Sequence, residues 1–388
     1  MKLTKNISFK NYKNLKTNKK ILNFLGNIKK ENNEILKSMN STYKDSVSKK
    51  KILEYKKYKL IRLFGMGGSS LGAQSIYDFL KHKIKKIFLF YDNLEISKKD
   101  SKINKKKLNL IISKSGNTLE TISTTNILIN KNQKNIFMIE NKKSYLMNLA
   151  NKLKSEIIHH NNFIGGRYSV FSEVGMIPAE LMGLNVNKFR QFNKLVDNKR
   201  FINSLISNVF NIYQLNKKKK FNSIILNYDN SSSNLFYWYQ QLTAESLGKK
   251  GKGIFPIVSN MPKDNHSLMQ LYLDGPSNNF YTLFFVEDKL SKKINNQILL
   301  KSHSYLKNKS LNEIKKSQFK ATENIFRKKK IPFRSFYIKK RSEETLGELF
   351  TFFILETLLL AQLMKINPYD QPAVESIKKD TKKILINS

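Results

Sequence analysis

Cysteine is absent from the 388 residues, so the chain has neither a disulfide framework nor a thiolate metal site to draw on. Histidine is scarce too. Of the five present, the adjacent His159 and His160 are too close in sequence for the usual spaced metal ligands, so no metal is expected; no cofactor is expected either. Acidic residues are also few: 29 Asp and Glu against 71 Lys and Arg leave a formal net charge of +42. That excess invites a nucleic-acid reading, because lysine clusters release counterions from phosphate backbones. The excess is lysine rather than arginine, however, and it is spread along the whole chain among Asn and Ile. No aromatic residues interleave with arginines to form a stacking groove. The charge therefore reads as a solvated surface that attracts anionic metabolites, and nucleic acid is not an expected partner.

Long hydrophobic runs are missing as well. The opening MKLTKNISFKNYKNLK scatters charges where a signal peptide needs a continuous apolar stretch. The most apolar segment, residues 349–364, is shorter than the ~20 residues of a membrane span and carries Glu356 at its centre. It reads as a buried helix, and the expectation is a soluble, cytoplasmic protein with no membrane partner.

What is present is an alternation. Residues 1–49 read as polar, helical cover. Then short apolar runs at 60–64, 87–91, 108–112 and 135–139 alternate with helix-like segments such as LGAQSIYDFLKH and LETISTTNILIN. A second set follows Gly183 and a helix-rich stretch at 187–215. Its expected strands lie at 224–228, 253–258, 281–286 and 333–338, and its expected helices at 238–247 and 289–301. Short strands alternating with helices predict an α/β protein with parallel sheets covered on both faces. The organisation expected is a helical segment at 1–49, α/β domains at 50–185 and 186–345, and a helical segment at 346–388. The lysine-rich stretches at 217–220 and 327–330 read as surface loops.

Two strand ends carry the chemistry. After the third run stands SKSGNT, residues 113–118. The first turn of a following helix presents unpaired N–H groups and the positive end of its dipole. Ser113, Ser115 and Thr118 add hydroxyl donors, Gly116 permits a tight turn and Lys114 supplies positive potential, which together suit a phosphate. Taken alone, the same residues fit an ordinary helix cap and turn equally well. After the first run stands GMGGSSLG, with Gly65, Gly67, Gly68, Ser69 and Ser70, so two strand ends can grip one group. Asp92 ends the next run, where a ribose-binding acid would stand. The register nevertheless disfavours a dinucleotide, since the third glycine of G-x-G-x-x-G falls on Ser70.

GMGGSSLGA, SKSGNTLET, IGGRYSVFSEVG, QQLTAESLGKKGKG, DNHSLMQLYLDGP and NPYDQPAVESIKK occur in the order and style of the glucose-6-phosphate isomerase family, which the chain resembles from about residue 60 to 383. The resemblance implies two sugar-isomerase (SIS) type doubly wound domains, each a parallel sheet flanked by helices, with helical terminal segments. It implies a homodimer that interconverts glucose 6-phosphate and fructose 6-phosphate through a cis-enediol. Carried over residue by residue, it implies Glu245 as the base that moves a proton between C2 and C1. Arg167, after Gly165 and Gly166, would stabilise the enediolate charge. His266 would open the sugar ring from the neighbouring subunit, and Lys378 would stand near the ring oxygen. Ser69, Ser113, Ser115 and Thr118 would clamp the phosphate, with Lys114 along the same loop; Gly68 and Gly166 would be further substrate-binding positions, Gln241 and Gln371 would meet hydroxyls, and Glu120 would be a neighbouring polar contact. Glu173 and Ala373 depart from the family pattern, where a small residue and a glycine are usual, and bear on glucose against mannose preference. A bifunctional phosphoglucose and phosphomannose isomerase and a noncatalytic phosphosugar-binding protein are the competing expectations.

Overall fold

The apolar runs form two five-stranded sheets in the computed structural model, which describes residues 2–13, 18–31, 33–96 and 106–388. In chain order the strands are β1 (Ile7–Lys10), β2 (Leu60–Phe64), β3 (Ile87–Tyr91), β4 (Lys107–Ile112), β5 (Lys134–Ile139), β6 (Glu156–His159), β7 (Asn222–Asn227), β8 (Phe255–Asn260), β9 (Asn279–Val286) and β10 (Phe333–Ile338). The first sheet runs β3-β2-β4-β5-β6 with every pair parallel. The second runs β1-β10-β9-β7-β8 and is parallel except where β1 pairs with β10.

Every residue of β2 is buried, as a strand covered on both faces requires. Its polar member Arg62 is accommodated by donating to Asn109 Oδ1 at 2.7 Å, Gln133 Oε1 at 2.8 Å and the Leu128 carbonyl at 3.0 Å. The helix Leu71–Phe79 of the first unit meets the helix Ser233–Leu247 of the second: Ser75 Oγ donates to the Asn234 carbonyl at 2.8 Å, and Asn234 Nδ2 to Asp78 at 2.6 Å. Leu63 of β2, Phe284 of β9 and Phe350 belong to one continuous apolar core, so the two sheets are not independently packed.

The helix Glu343–Met364 is long and apolar enough to cross a membrane, yet it lies buried within the fold. Its Glu356 explains why. The carboxylate is fully buried and pairs with the equally buried Arg334 of β10, while Tyr239 donates to it at 2.7 Å. Burial and the neighbouring Glu356 push the Tyr239 phenol upward, which keeps that donor protonated. Asn208 Oδ1 accepts from Arg334 at 2.9 Å and completes the cluster.

Two expectations are corrected and one strand is added. Residues 1–49 are not helical cover alone: Ile7 and Phe9 are buried in the core while the alternating Ser8 and Lys10 are more exposed, the period-two pattern of a strand, and β1 extends the second sheet. Residues 1, 14–17 and 32 of that segment lie outside the described residues. The helix expected at 289–301 is instead a chain of turns, and the helix begins at Leu311, where Ser310 and Glu313 form a reciprocal capping box. β6, too short and polar to stand out, was not anticipated from its four residues.

Candidate active site

The order β3-β2-β4 reverses the winding direction at β2 and β4, and the crevice outside such strand ends is where open α/β sheets bind ligands. The loops that follow these strands are the two singled out by composition. They touch: a Cβ on Gly65 would stand 3.1 Å from the Ile112 carbonyl oxygen. Farther along the same loop, Gly68 abuts the Gly166–Arg167 turn so closely that a Cβ would fall 2.1 Å from the Gly166 carbonyl carbon. Gly67, at φ +52°, would place a Cβ 2.7 Å from Gln241 Nε2. One short loop thus joins the second strand end, the arginine turn and the helix Ser233–Leu247.

In the loop after β4, Ser113 Oγ and Thr118 Oγ1 lie 3.0 Å apart, and the Gly116 N–H donates to Ser113 Oγ at 3.1 Å. The Asn117 N–H donates to Ser115 Oγ at 3.2 Å. Thr118 precedes the helix Leu119–Leu128, but its side chain does not cap it and turns to Ser113 instead. Lys114 is half-buried with its ammonium on the Asn162 carbonyl, and burial lowers its pKa. Ser69 sits half-buried in the turn Gly67–Ser69, and Glu120 lies half-buried in the first turn after Thr118.

Arg167 is the centre of the arrangement. It lies in the turn Gly166–Phe171 with 2 % of its side chain exposed, and each of its five N–H donors meets an acceptor. Nε donates to Ser246 Oγ at 2.9 Å; Nη1 donates to Glu245 Oε2 at 3.1 Å and to Gln371 Oε1; Nη2 donates to the carbonyls of Pro368 at 2.6 Å and Asp370 at 3.1 Å. Glu245, partly open to solvent, receives Gln241 Nε2 on its other oxygen at 2.8 Å. The helix places Gln241 and Glu245 one turn apart on a single face. A carboxylate, a guanidinium and two amides are therefore assembled beside the loop after β2, a set of donors and acceptors that suits a polyhydroxylated anion.

Two expected residues stand apart from this cluster. His266 is exposed after the turn Lys263–Asn265. Lys378 lies on the exposed helix Glu375–Asn387 and pairs with Glu375 at 2.7 Å. Glu173 is buried and faces away: its carboxylate accepts the Ser46 N–H at 2.8 Å, so it fastens the amino-terminal segment. At the strand ends of the second sheet, Asp229 after β7 is clasped by Arg341 at 2.9 Å, so two protein charges satisfy each other there. Among the described residues, no group of three or more His, Asp and Glu is placed to hold a metal.

Sequence reasoning missed Ser246, Tyr168, Trp238 and the Pro368 carbonyl. Tyr168 OH lies 2.8 Å from Ser246 Oγ and 3.1 Å from the Pro368 carbonyl, and Trp238 Nε1 donates to the Arg167 carbonyl at 3.1 Å. Ser246 and Tyr168 each adjoin a residue that was singled out, which was the available signal.

Two such α/β units, with hydroxyl-rich loops at the switch point of the first, define the sugar-isomerase (SIS) type fold of the phosphosugar isomerases. The fold is shared with a crystal structure of a hypothetical protein from Thermus thermophilus, at TM-score 0.82 and 22 % identity over 95 % of this chain and 94 % of that one. It is also shared with a glucose-6-phosphate isomerase from Chlamydia trachomatis, at TM-score 0.70 and 17 % identity over 90 % and 78 % of the two chains. The sequence is more specific. The family model described as phosphoglucose isomerase matches residues 11–258, and the glucose-6-phosphate isomerase of Methanocaldococcus jannaschii is 32 % identical over 365 residues, 87 % of this chain and 88 % of that one. The chain belongs to the phosphoglucose isomerase family and is an enzyme of the aldose–ketose isomerase class.

Proposed function

We propose that this enzyme interconverts glucose 6-phosphate and fructose 6-phosphate through a cis-enediol, without a metal or cofactor, as a homodimer. The observation that carries the reading is the 3.1 Å pair of Arg167 and Glu245, linked by the Gly65–Gly68 loop to the end of β4, from which the Ser113–Thr118 hydroxyls follow. Ser69, Ser113, Ser115 and Thr118 hold the phosphate, with Gly68 and Gly166 leaving backbone room and Lys114 adding positive potential. With that end fixed, the Glu245 carboxylate takes the proton from one carbon and returns it to its neighbour on the same face of the planar intermediate. Negative charge develops on the sugar oxygens meanwhile. Arg167 meets that charge by exchanging one of its Nη1 partners, Gln371 or Glu245, for a sugar oxygen. Gln241 and Gln371 bind hydroxyls, and Gln371 reaches the site from the segment that precedes the Lys378 helix.

Ring opening falls to His266 of a second copy, with Lys378 near the ring oxygen. The exposure of His266 on this chain supports that assignment, since a surface imidazole is accessible to a neighbouring subunit's site. The test is a coupled assay of the purified protein offered fructose 6-phosphate and then mannose 6-phosphate, with no metal added. Rapid formation of glucose 6-phosphate and little turnover of the mannose substrate is expected. Comparable turnover of both would make the enzyme bifunctional, and binding without turnover would leave only a phosphosugar receptor. Dilution should abolish activity as dimers dissociate, and active monomers would contradict the shared histidine.

A further inference from the structure

Arg167 is anchored on the side away from Glu245 by a chain of hydroxyls whose direction can be worked out. Its first link, Arg167 Nε–H, can only donate, and Ser246 Oγ receives it at 2.9 Å. Its last link, the Pro368 carbonyl, can only accept, so the Tyr168 hydroxyl at 3.1 Å donates to it. The 2.8 Å contact between Ser246 and Tyr168 then has one consistent sense, Ser246 donating to Tyr168. Every hydroxyl proton and lone pair that the chain needs is thereby used. Ser246 is 0 % and Tyr168 1 % exposed, so water has no ready access to replace a missing link. Burial raises the Tyr168 pKa and keeps the phenol a donor. The backbone of the same arginine is held by Trp238 at 3.1 Å.

We infer that Ser246 and Tyr168 are positioning residues for Arg167: the chain Arg167 Nε–H, Ser246, Tyr168, Pro368 carbonyl fixes the plane of the guanidinium and joins it to the segment that carries Gln371. The inference rests on the role given to Arg167 in the proposed reaction. Ser246 directly follows Glu245, so one helical turn both presents the carboxylate and sets the orientation of the cation opposite it. Both hydroxyls are buried and engaged by protein partners, which leaves neither free to meet the sugar. Their contribution is to the alignment of a group that does, and misalignment by a fraction of an ångström matters most when charge develops.

The experiment measures kcat and KM for fructose 6-phosphate with the full-length enzyme carrying Ser246→Ala, Tyr168→Phe or Arg167→Lys, and Arg167→Lys combined with Ser246→Ala. Ser246→Ala is expected to lower kcat roughly 10- to 100-fold and Tyr168→Phe roughly 3- to 10-fold, with KM within about threefold of wild type. Lysine has no Nε–H at the anchored position. In the Arg167→Lys background, the serine substitution should therefore cost less than about threefold. An equal fold loss in both backgrounds would mean a merely structural role and overturn the inference, as would wild-type kcat in both Ser246→Ala and Tyr168→Phe. Tyr168→Phe keeps the ring and supplies the answer if Ser246→Ala does not fold. If Arg167→Lys itself turns over like wild type, the role of Arg167 in the reaction is what fails, and the inference falls with it.

Discussion

Gly68→Ala is the sharpest structural perturbation available at the site, because the added atom meets backbone rather than a side chain that can swing away. The new Cβ would sit 2.1 Å from the Gly166 carbonyl carbon, 2.2 Å from its oxygen and 2.6 Å from the Arg167 nitrogen. Ordinary contact between such atoms needs roughly 3.5 Å, so the arginine turn must retreat by about 1 Å. Such a shift moves Arg167 relative to Glu245, and a displacement of about 1 Å in a catalytic group costs on the order of 100-fold in rate. Overpacking of this kind also costs about 1–3 kcal/mol of stability, which a core joined across both sheets can absorb. The assay is steady-state isomerisation of fructose 6-phosphate, with circular dichroism to confirm that the variant is folded. Gly26→Ala is the matched control: the residue lies in the helix Lys19–Lys30 with nothing within 4 Å of the added atom, and turnover should be unchanged. A folded Gly68→Ala enzyme with kcat within about threefold of wild type would refute the reasoning.

Ser113→Ala combined with Thr118→Ala removes the hydroxyl pair of the loop proposed to hold phosphate and should raise KM for sugar phosphate by about tenfold or more with kcat changed much less; a fall in kcat at constant KM would misplace the clamp. Glu356→Gln leaves the fully buried Arg334 without its counter-charge and should lower the unfolding free energy by about 3–5 kcal/mol in urea titrations, and a loss below about 1 kcal/mol would show that the pair is dispensable. His160 is buried, and burial depresses its imidazole to about 4. The fold therefore favours the neutral ring: this contribution is present above the ordinary pKa of about 6.5 and is lost as pH falls toward 4. Between about pH 7 and about pH 4.5, wild type should lose about 2–3 kcal/mol more than His160→Gln; parallel losses in the two proteins would dismiss the histidine.

The strands around the site were legible because parallel central strands are continuous apolar runs, and because glycines and hydroxyls crowd the loops at their ends. Motif residues in GMGGSSLG, SKSGNT, IGGRYSV and QQLTAESLG carried the remainder, and the structure brings Gly68, Gly166, Arg167, Gln241, Glu245 and Gln371 into one cluster. Other features depend on contacts between distant segments. Ser246 meets Tyr168 across 78 positions, and Tyr168 meets Pro368 across 200, separations that no local pattern encodes. β1 alternates over only four residues, and the turns at 296–306 replace a helix because the capping signal stands later, at Ser310. His266 and Lys378 were assigned by motif, and their side chains lie outside the cluster that this single chain assembles.

The most direct measurement of the central claim follows fructose 6-phosphate in deuterium oxide by nuclear magnetic resonance, comparing wild type with Glu245→Gln. The amide keeps nearly the shape and hydrogen-bonding reach of the carboxylate but cannot accept a proton from carbon. Wild type should form glucose 6-phosphate and introduce deuterium at the reacting carbons, while the variant should bind the sugar phosphate and do neither at a comparable rate. Isomerisation and exchange at wild-type rates in Glu245→Gln would contradict the account.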